Sequence, residues 1–413
     1  MWSGSAVRST ELHAGYRLLK GQGSYVSDIL VDSPLHMATI NHAGEMYHRI
    51  ELGVSKEGKL TGMRAEVTQD IGAYARPIGS RISAIILEML PGPYELDAYE
   101  VTYRGVSTSK APTGTVRGPA APETTFVRER TVDRIARRIG QDPRQLRRRS
   151  LIPPKSIPYQ RRTGEAGHDL LFDSGDFLTV FDETLKRSGY DDWIEERDRR
   201  REAGEHVVVG SGVFLLHSGL GGEETVAVNL ETDGRFLVRT SATEVGQGLD
   251  DMARGAIATM LGVSESDVDI WSGETEAPSG GVGTFASRST LFVANALADA
   301  AEQLRSQAVE KAAALLSCGT EEVVINSEGP SCMDEKLKWK DVAPIKVTGR
   351  FEATEATFGF GMHLALVSLD PESGNVVPEK MAIAYDCGRA LDRRGRHGCG
   401  RHSPRTICVR RQR

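Results

Sequence analysis

Three glycine-rich loops, each followed directly by a helical sequence pattern, most constrain what this 413-residue chain can fold into. They span residues 115–123, 244–251 and 280–289. A helix start presents unpaired backbone N–H groups and the positive end of the helix dipole, and glycine lets a ligand approach the backbone closely. One such loop is common. Three loops that also carry arginine, glutamine and serine predict a cradle for a large anionic ligand with several phosphates.

Composition indicates a globular protein, with 39% hydrophobic and 26% charged residues, and a length that predicts two or more domains. No apolar run reaches membrane-spanning length and the first residues lack a signal-peptide pattern, so we expect no membrane span and a cytoplasmic location. The cysteines form neither a C-x-x-C pair nor a metal-ligand spacing, which favours free thiols in a reducing compartment. They are Cys318, Cys332, Cys387, Cys399 and Cys408.

Charge is distributed unevenly along the chain. The formal net charge is −6, although residues 389–413 contain nine Arg and one Asp. The rest of the chain is therefore strongly acidic, which argues against a general nucleic-acid binder, because such proteins neutralise phosphates with a basic surface.

Hydrophobic periodicity and turn residues predict an α+β fold of strand hairpins mixed with separate helices. A Glu-Gly turn and an Asp-Gly turn each indicate a hairpin, and Asp142 before Pro143 indicates a helix start. We expect helices near 122–139, after 143, over 176–203, 249–261 and 289–316, and strands near 48–54, 60–67, 206–216, 224–230, 235–240, 361–369 and 380–385.

Gln247 is the first candidate site residue, because it lies between Gly246 and Gly248. Its amide can donate and accept hydrogen bonds at once, and the glycines would let a cofactor lie against the backbone. The alternative is a glycine-rich turn whose glutamine faces water.

Ser287, Arg288 and Ser289 open the long predicted helix. A serine there can be a simple N-cap, or its hydroxyl can join the helix N–H groups and Arg288 in holding a phosphate. Arginine in a first helical turn opposes the helix dipole, so this position calls for a nearby anion. Arg117 lies in a rigid loop that could aim its guanidinium at a carbonyl or oxyanion, or it is an ordinary surface arginine.

Three carboxylates lie next to these loops: Glu123, Glu129 and Glu244. Each is explained as a partner of a helix dipole or as a solvated side chain. Motifs of nucleotide-binding P-loops, Rossmann folds and Ser-His-Asp hydrolases are absent from the sequence.

Taken together, the loops resemble the molybdenum-cofactor-binding large subunit of the xanthine dehydrogenase, aldehyde oxidase and carbon monoxide dehydrogenase family. The resemblance runs over about residues 40–388. It rests on Thr115-Val-Arg-Gly with the following Pro122-Glu-Thr-Thr-Phe, on Glu244-Val-Gly-Gln-Gly, on Gly283-Thr-Phe-Ala-Ser-Arg-Ser and on Asp386-Cys-Gly.

The resemblance implies site residues and a cofactor. Gln247 would contact the molybdenum's oxo ligand and Arg117 would orient the substrate, which makes both catalytic. No protein side chain would bind the metal, because the pterin dithiolene holds it, and the cytosine dinucleotide form of the pterin is expected. The cofactor-binding residues implied are Gly246, Gln247, Gly248, Phe285, Ala286, Ser287, Arg288 and Ser289.

The activity implied is oxidative hydroxylation of an aldehyde, an N-heterocycle or a carbon monoxide-type substrate. Gly118 stands where carbon monoxide enzymes place a cysteine, which disfavours that substrate. Electrons would leave through an iron–sulfur small subunit, with FAD on a medium subunit.

The sequence departs from the family pattern at both ends. We expect a remnant of the N-terminal domain over 1–37, the C-terminal part of a first cofactor domain over 38–165, an incomplete second cofactor domain over 166–388 and an Arg-rich tail without family pattern over 389–413. The family's phenylalanine-glycine-glycine loop and its general-base glutamate have no match. We expect impaired activity, because general-base catalysis contributes about 10²–10⁴-fold.

Alternatives remain for the tail and for the whole chain. The tail is interpreted as a frameshift product, and the competing interpretation is a basic arm for an acidic partner. The chain itself could be a non-catalytic fragment that only docks partner subunits, or a nucleotide-binding protein unrelated to molybdenum.

Overall fold

The computed structural model describes residues 45–115, 117–163, 169–219, 221–274, 276–353, 355–388 and 391, together with the backbone of 406–409. Within these ranges the side chains of 77–81 and 406–409 are not described. The predicted remnant over 1–37 and most of the predicted tail over 389–413 lie outside the described residues.

Helices are numbered here in chain order. The seven longer ones cover most of the predicted helical segments, and Asp142 caps α3 by accepting from the N–H of Arg144, as its sequence predicts. The helices are α1 (Pro77–Met89), α2 (Ala121–Arg138), α3 (Pro143–Ser150), α4 (Phe177–Ser188), α5 (Tyr190–Glu202), α6 (Leu249–Leu261), α7 (Ser289–Leu316) and α8 (Trp339–Val342).

Among the described residues, the strands form five sheets, with the orders β1-β2-β3, β4-β5, β13-β7-β8-β9, β10-β11-β12 and β16-β15-β14-β6. The predicted α+β class is confirmed. The strands are β1 (Met46–Val54), β2 (Leu60–Gly72), β3 (Ala98–Ser107), β4 (Tyr159–Arg161), β5 (Leu170–Phe172), β6 (Val207–Ser218), β7 (Glu223–Leu230), β8 (Phe236–Thr240), β9 (Val268–Ser272), β10 (Val323–Ile325), β11 (Pro330–Cys332), β12 (Glu335–Lys336), β13 (Ile345–Glu352), β14 (Thr357–Leu369), β15 (Val376–Asp386) and β16 (Thr406–Val409).

The N-terminal sheet combines the predicted hairpin with a crossover. Strands β1 and β2 pair antiparallel, whereas β3 pairs in parallel with β2 after the chain passes through α1. A parallel pair requires such a crossover. Helix α1 buries Ile82, Ile86 and Met89, which fixes the crossover against the sheet.

The single helical segment expected over 176–203 is two helices. Gly189 separates them with a φ of 65°, a left-handed conformation that glycine adopts without penalty. In α2, the side chain of Phe126 is 58% exposed, while Val132 and Ala136 are buried.

The buried hydrophobic side chains of the described residues form two separate cores. The first is built from β2, α1, α3, α4, β6 and β14, and it includes Leu60, Phe181 and Leu364. The second lies between the β13-β7-β8-β9 sheet and helices α6 and α7, and it includes Val228 and Leu297. The first core therefore runs across the boundary predicted between 165 and 166.

The second core belongs to a unit inserted between two paired strands. Strands β6 and β14 pair antiparallel from Val207↔Ser368 to Ser218↔Thr357, and the whole of β7 to β13 lies between them in the chain. Helix α7 has the bounds that the sequence predicts. Across the described part of the chain, we find no helix that combines the length and apolar character needed to span a bilayer.

Candidate functional site

The loop between β8 and α6 is fixed by Glu244. Its carboxylate accepts hydrogen bonds from the backbone N–H groups of Gly246, Gly248 and Asp250, at 2.6, 3.1 and 3.1 Å. Partial burial acts to raise the pKa of Glu244, but these N–H donors outweigh it and the pKa is lowered. Glu244 thus supplies the negative charge at the N-terminus of α6, in agreement with its predicted dipole role.

Gln247 lies exposed at the tip of this loop, and its amide folds back on the loop. Its Oε1 accepts from the N–H of Val245 at 2.6 Å, and its Nε2 donates to the carbonyl of Thr243 at 3.0 Å. An amide has two N–H donors, so one donor of Gln247 remains for a ligand. The role of Gln247 stays a prediction.

Residues 280–289 form the second loop, which begins against the ends of β7 and β8. A Cβ built on Gly281 would lie 1.7 Å from Ser241 Oγ, so glycine is required there. Further along, Ala286 and Ser287 both have left-handed backbones, with φ of 48° and 53°. Such conformations cost about 1–3 kcal/mol each in non-glycine residues and concentrate at functional sites.

Arg288 immediately precedes α7, and its guanidinium is buried with an internal partner. Its Nη1 lies 2.7 Å from Glu224 Oε2 and 3.0 Å from the carbonyl of Gly283, and its Nη2 donates to the carbonyl of Glu223. The anion that the sequence calls for is therefore Glu224 rather than a phosphate. Assignment of Arg288 to cofactor binding remains a prediction, with the backbone of its loop as the available contact.

Ser287 and Ser289 were considered as N-caps of α7. The structure shows no side-chain cap at this helix start, so that simple explanation is wrong. Ser289 Oγ instead donates to Thr284 Oγ1 at 3.3 Å. The first N–H groups of α7 thus remain without a side-chain cap and available to an anionic ligand.

A pair of threonines joins the two loops. Thr284 Oγ1 accepts from the N–H of Thr243 at 2.8 Å and donates to the carbonyl of Thr243 at 2.8 Å. This double contact holds the start of the loop over 244–251 against the loop over 280–289. Neither threonine was singled out from the sequence, because no local pattern shows that the two loops meet.

Three glycines of these loops leave open space beside the backbone. A Cβ added at Gly246, Gly248 or Gly283 would meet nothing within 4 Å, so the chain leaves open space at each. Val245 and Phe285 flank these glycines with apolar side chains that are 71% and 46% exposed. Open glycine backbone, exposed apolar groups and an uncapped helix start are the features that a pterin with phosphates requires.

Arg117 lies in the loop before α2, where its side chain is exposed. Gly118 and Ala120 both have positive φ, 76° and 64°, and a Cβ at Gly118 would meet nothing within 4 Å. Within the described ranges, no hydrogen bond or ion pair connects Arg117 to either of the other loops. Its predicted role in orienting a substrate is untested by these contacts.

Glu123 lies in the first turn of α2, where its Oε2 is buried and finds no hydrogen-bond partner among the described residues. Burial raises the pKa of this carboxyl.

Glu129 is buried, and the expectation of a solvated or dipole-paired carboxylate is wrong here. It accepts from Arg128 Nε and Arg147 Nε, both at 2.8 Å, and from the hydroxyl of Tyr94. Arg128 also donates to the carbonyl of Val213 on β6 at 2.8 Å. Burial, followed by the charge of Glu129, raises the pKa of Tyr94 well above its usual range. This network ties α2 and α3 to the sheet.

Comparison with known protein families finds two matching models. Residues 183–398 match a family model described as the molybdopterin cofactor-binding domain, and residues 28–151 match a second model with that description. The chain belongs to the molybdopterin cofactor-binding family. Both candidate loops over 244–251 and 280–289 lie inside the first match, and the Arg117 loop lies inside the second.

Individual relatives of this family support the same assignment. The chain is 30% identical to the 6-hydroxypseudooxynicotine dehydrogenase complex subunit gamma of Paenarthrobacter nicotinovorans, covering 86% of this chain and 47% of that protein. It is 23% identical to the carbon monoxide dehydrogenase large chain of Hydrogenophaga pseudoflava, covering 86% and 48%. The chain therefore spans about half the length of these relatives. The predicted resemblance to this group of large subunits is confirmed.

A solved structure shows the same fold. Quinoline 2-oxidoreductase from Pseudomonas putida 86 superposes with a TM-score of 0.77 at 22% identity, over 87% of this chain and 49% of that one. The two chains thus share a fold, and at this sequence identity the likeness shows the architecture alone.

Proposed function

We propose that the loops over 244–251 and 280–289 hold the pterin of a molybdenum cofactor, in its cytosine dinucleotide form, within a molybdenum hydroxylase large subunit. The observation that carries this proposal is the Thr243–Thr284 contact, which joins two loops whose Gly246, Gly248 and Gly283 each leave open space beside the backbone. When bound, the cofactor supplies the oxygen transfer and accepts the electrons of the reaction. The chain's own residues bind the cofactor and orient the substrate.

Each loop has a distinct part in this proposal. Gly246 and Gly248 let the pterin approach the backbone, and Gln247 presents its remaining amide donor to the cofactor. Ser287 and Ser289 lie at the start of α7, where the helix N–H groups attract phosphate oxygens. Arg117 orients the substrate through its guanidinium.

Glu244 is not the general base of this reaction. Three backbone N–H groups stabilise its anionic form and lower its pKa, which makes the carboxylate a poor proton acceptor. Among the described residues we propose no general base, and the chain spans about half the length of the relatives it matches.

The substrate class is proposed from the relatives. One is named nicotine 6-hydroxylase large subunit, at 25% identity, and the structural match is named quinoline 2-oxidoreductase. Both names specify nitrogen heterocycles, so we favour an N-heterocycle over an aldehyde or carbon monoxide. Gly118, at the position where carbon monoxide enzymes place a cysteine, also disfavours carbon monoxide. An iron–sulfur small subunit, a FAD-binding medium subunit and a cytoplasmic location complete the proposal.

The test measures bound pterin rather than turnover, because turnover needs the whole complex. The chain is expressed in a host that makes the dinucleotide cofactor, purified and hydrolysed, and the released pterin and CMP are quantified. We expect both, in equal amounts, and we expect Thr284→Val to lose them while Thr259→Val, at an exposed position on α6, keeps them. Absence of pterin and CMP from the folded chain contradicts the proposal, and pterin without CMP contradicts the dinucleotide form.

A further inference from the structure

Two cysteines and a glutamate meet beyond the C-terminal end of α7. The Sγ atoms of Cys318 and Cys332 and a carboxylate oxygen of Glu322 all lie within 4.8 Å of one another. The sequence alone does not indicate a metal site here. Three residues separate Cys318 from Glu322, and nine separate Glu322 from Cys332. The three side chains come together only in the folded chain.

Backbone geometry sets each of these three side chains. Ser317 ends α7 in a left-handed conformation, and the N–H of Cys318 returns to the carbonyl of Ala313 at 3.1 Å. Glu322 Oε2 accepts from the N–H of Gly319 at 2.8 Å, which orients the carboxylate. Cys332 lies on β11, directly opposite Val323 of β10. The cluster is therefore preorganised by a helix end, a turn and a strand pair.

The donor set has the chemistry of a soft-metal site. Zinc is bound by cysteine sulfur and by glutamate oxygen, and three protein ligands leave a fourth tetrahedral position for water. Cys332 is buried and Cys318 half-buried, while Glu322 is exposed. An ion can therefore reach the thiols past the carboxylate, which satisfies the requirement for an entry path.

We propose that Cys318, Glu322 and Cys332 form a binding site for a thiophilic divalent cation of the zinc class. The site is separate from the cofactor loops, because α7 has 28 residues and at about 1.5 Å per residue spans about 42 Å. It pins the end of α7 to the β10-β11-β12 sheet.

Titration of the reduced full chain with Co²⁺ tests this site. Cobalt reports thiolate ligation through charge-transfer absorption, and Zn²⁺ should displace it. We expect the absorption in the unmodified chain, its loss in Cys318→Ser and in Cys332→Ser, and its retention in the matched control Cys387→Ser, whose cysteine is exposed elsewhere. Glu322→Gln should weaken binding at least about tenfold, because even indirect supports of metal ligands contribute 10–100-fold.

Circular dichroism of each variant separates loss of a ligand from loss of fold. A folded, reduced chain without thiolate absorption overturns the proposal. So does absorption that survives in Cys318→Ser, or that disappears in Cys387→Ser. A Cys318–Cys332 disulfide that persists by mass spectrometry after reduction, with no cobalt bound, also overturns it.

Discussion

Arg288 Nη1 and Glu224 Oε2 form an ion pair of 2.7 Å whose two side chains are both fully buried. The pair joins the residue just before α7 to the start of β7. Glu224 also accepts from Ser241 Oγ at 2.8 Å, which extends the contact to the end of β8. One carboxylate therefore fixes the base of the loop over 280–289 against the sheet beneath it.

Glu224→Gln should destabilise the fold strongly. The change leaves the Arg288 guanidinium buried without its counter-charge, and breaking such a pair costs about 3–5 kcal/mol. Urea denaturation measures the free energy of unfolding of the variant and of the parent. As a control, Arg350→Ala removes the exposed partner of the neighbouring Glu223. This change should alter the free energy of unfolding by less than about 1 kcal/mol. Equal effects of the two variants would show that the buried pair is dispensable.

Gly248→Ala should reduce bound pterin with little specific effect on folding. Gly248 and Gly262 stand at opposite ends of α6, both with positive φ and both with open space where an added Cβ would lie. An alanine in either left-handed position costs about 1–2 kcal/mol. The measurement is pterin fluorescence after oxidation, beside the melting temperature. We expect Gly262→Ala to have the same melting temperature as Gly248→Ala but to retain its pterin. Equal loss of pterin in both variants would contradict a role of the 244–251 loop in binding.

Glu244 should give the fold a pH-dependent stability. Its pKa is lowered in the folded chain, so its stabilising contribution is fully present above the ordinary glutamate pKa of about 4.3. The contribution is lost as the pH falls from there through the folded pKa. Urea unfolding from pH 7 to 3 should show Glu244→Gln less stable than the parent at pH 7, with a gap that closes in acid. The exposed Glu302→Gln should show no such gap, and a gap for Glu244→Gln that stays constant with pH would refute the assignment.

Arg147→Met should destabilise far more than Arg148→Met, although the two residues are neighbours on α3. Arg147 is buried and pairs with Glu129 and Asp133, whereas Arg148 pairs with Asp182 at an exposed position. Loss of a buried partner costs about 3–5 kcal/mol and loss of an exposed one less than about 1 kcal/mol. Chemical denaturation of the two variants gives the comparison. Similar unfolding midpoints would mean that the network around Glu129 compensates for the loss.

Arg117→Lys should impair the assembled enzyme without altering cofactor content. Lysine keeps the charge but loses the planar, forked donor geometry of arginine. If Arg117 orients the substrate, kcat/KM should fall while bound pterin is unchanged; Arg130→Lys, at an exposed position on α2, should leave both unchanged. Steady-state kinetics of the whole complex, with pterin quantified in the same preparation, give the two readouts. A kcat/KM equal to that of the parent would remove Arg117 from the site.

Local signals made much of this fold predictable. The bounds of α7, the cap of α3 by Asp142 and the antiparallel pair of β14 and β15 follow from helix formers, capping residues and turn residues close together in sequence. The glycine pattern also located both loops over 244–251 and 280–289. In each case the deciding interaction lies within a few residues.

Long-range partners could not be predicted in this way. The Arg288 position indicated an anion, but Glu224 is 64 residues away and nothing local distinguishes it from a phosphate. The sequence pattern around Glu129 indicated an exposed helical carboxylate, whereas in the structure Arg147 and Tyr94 donate hydrogen bonds to it in the interior. Cys318 and Cys332 approach only because β10 pairs with β11. Such contacts depend on packing between elements, which periodicity does not encode.

The pairing of Ser218 with Thr357 has a consequence for how this architecture can be rearranged. The segment between them enters and leaves at adjacent positions of a single sheet, and Thr357 Oγ1 donates to the carbonyl of Ser218 at 3.3 Å. A lobe whose two ends already touch can be exchanged for a short turn, or transplanted, without displacing either flanking strand. The second core is thus a removable module at the tip of a hairpin, the kind of junction where insertions are tolerated.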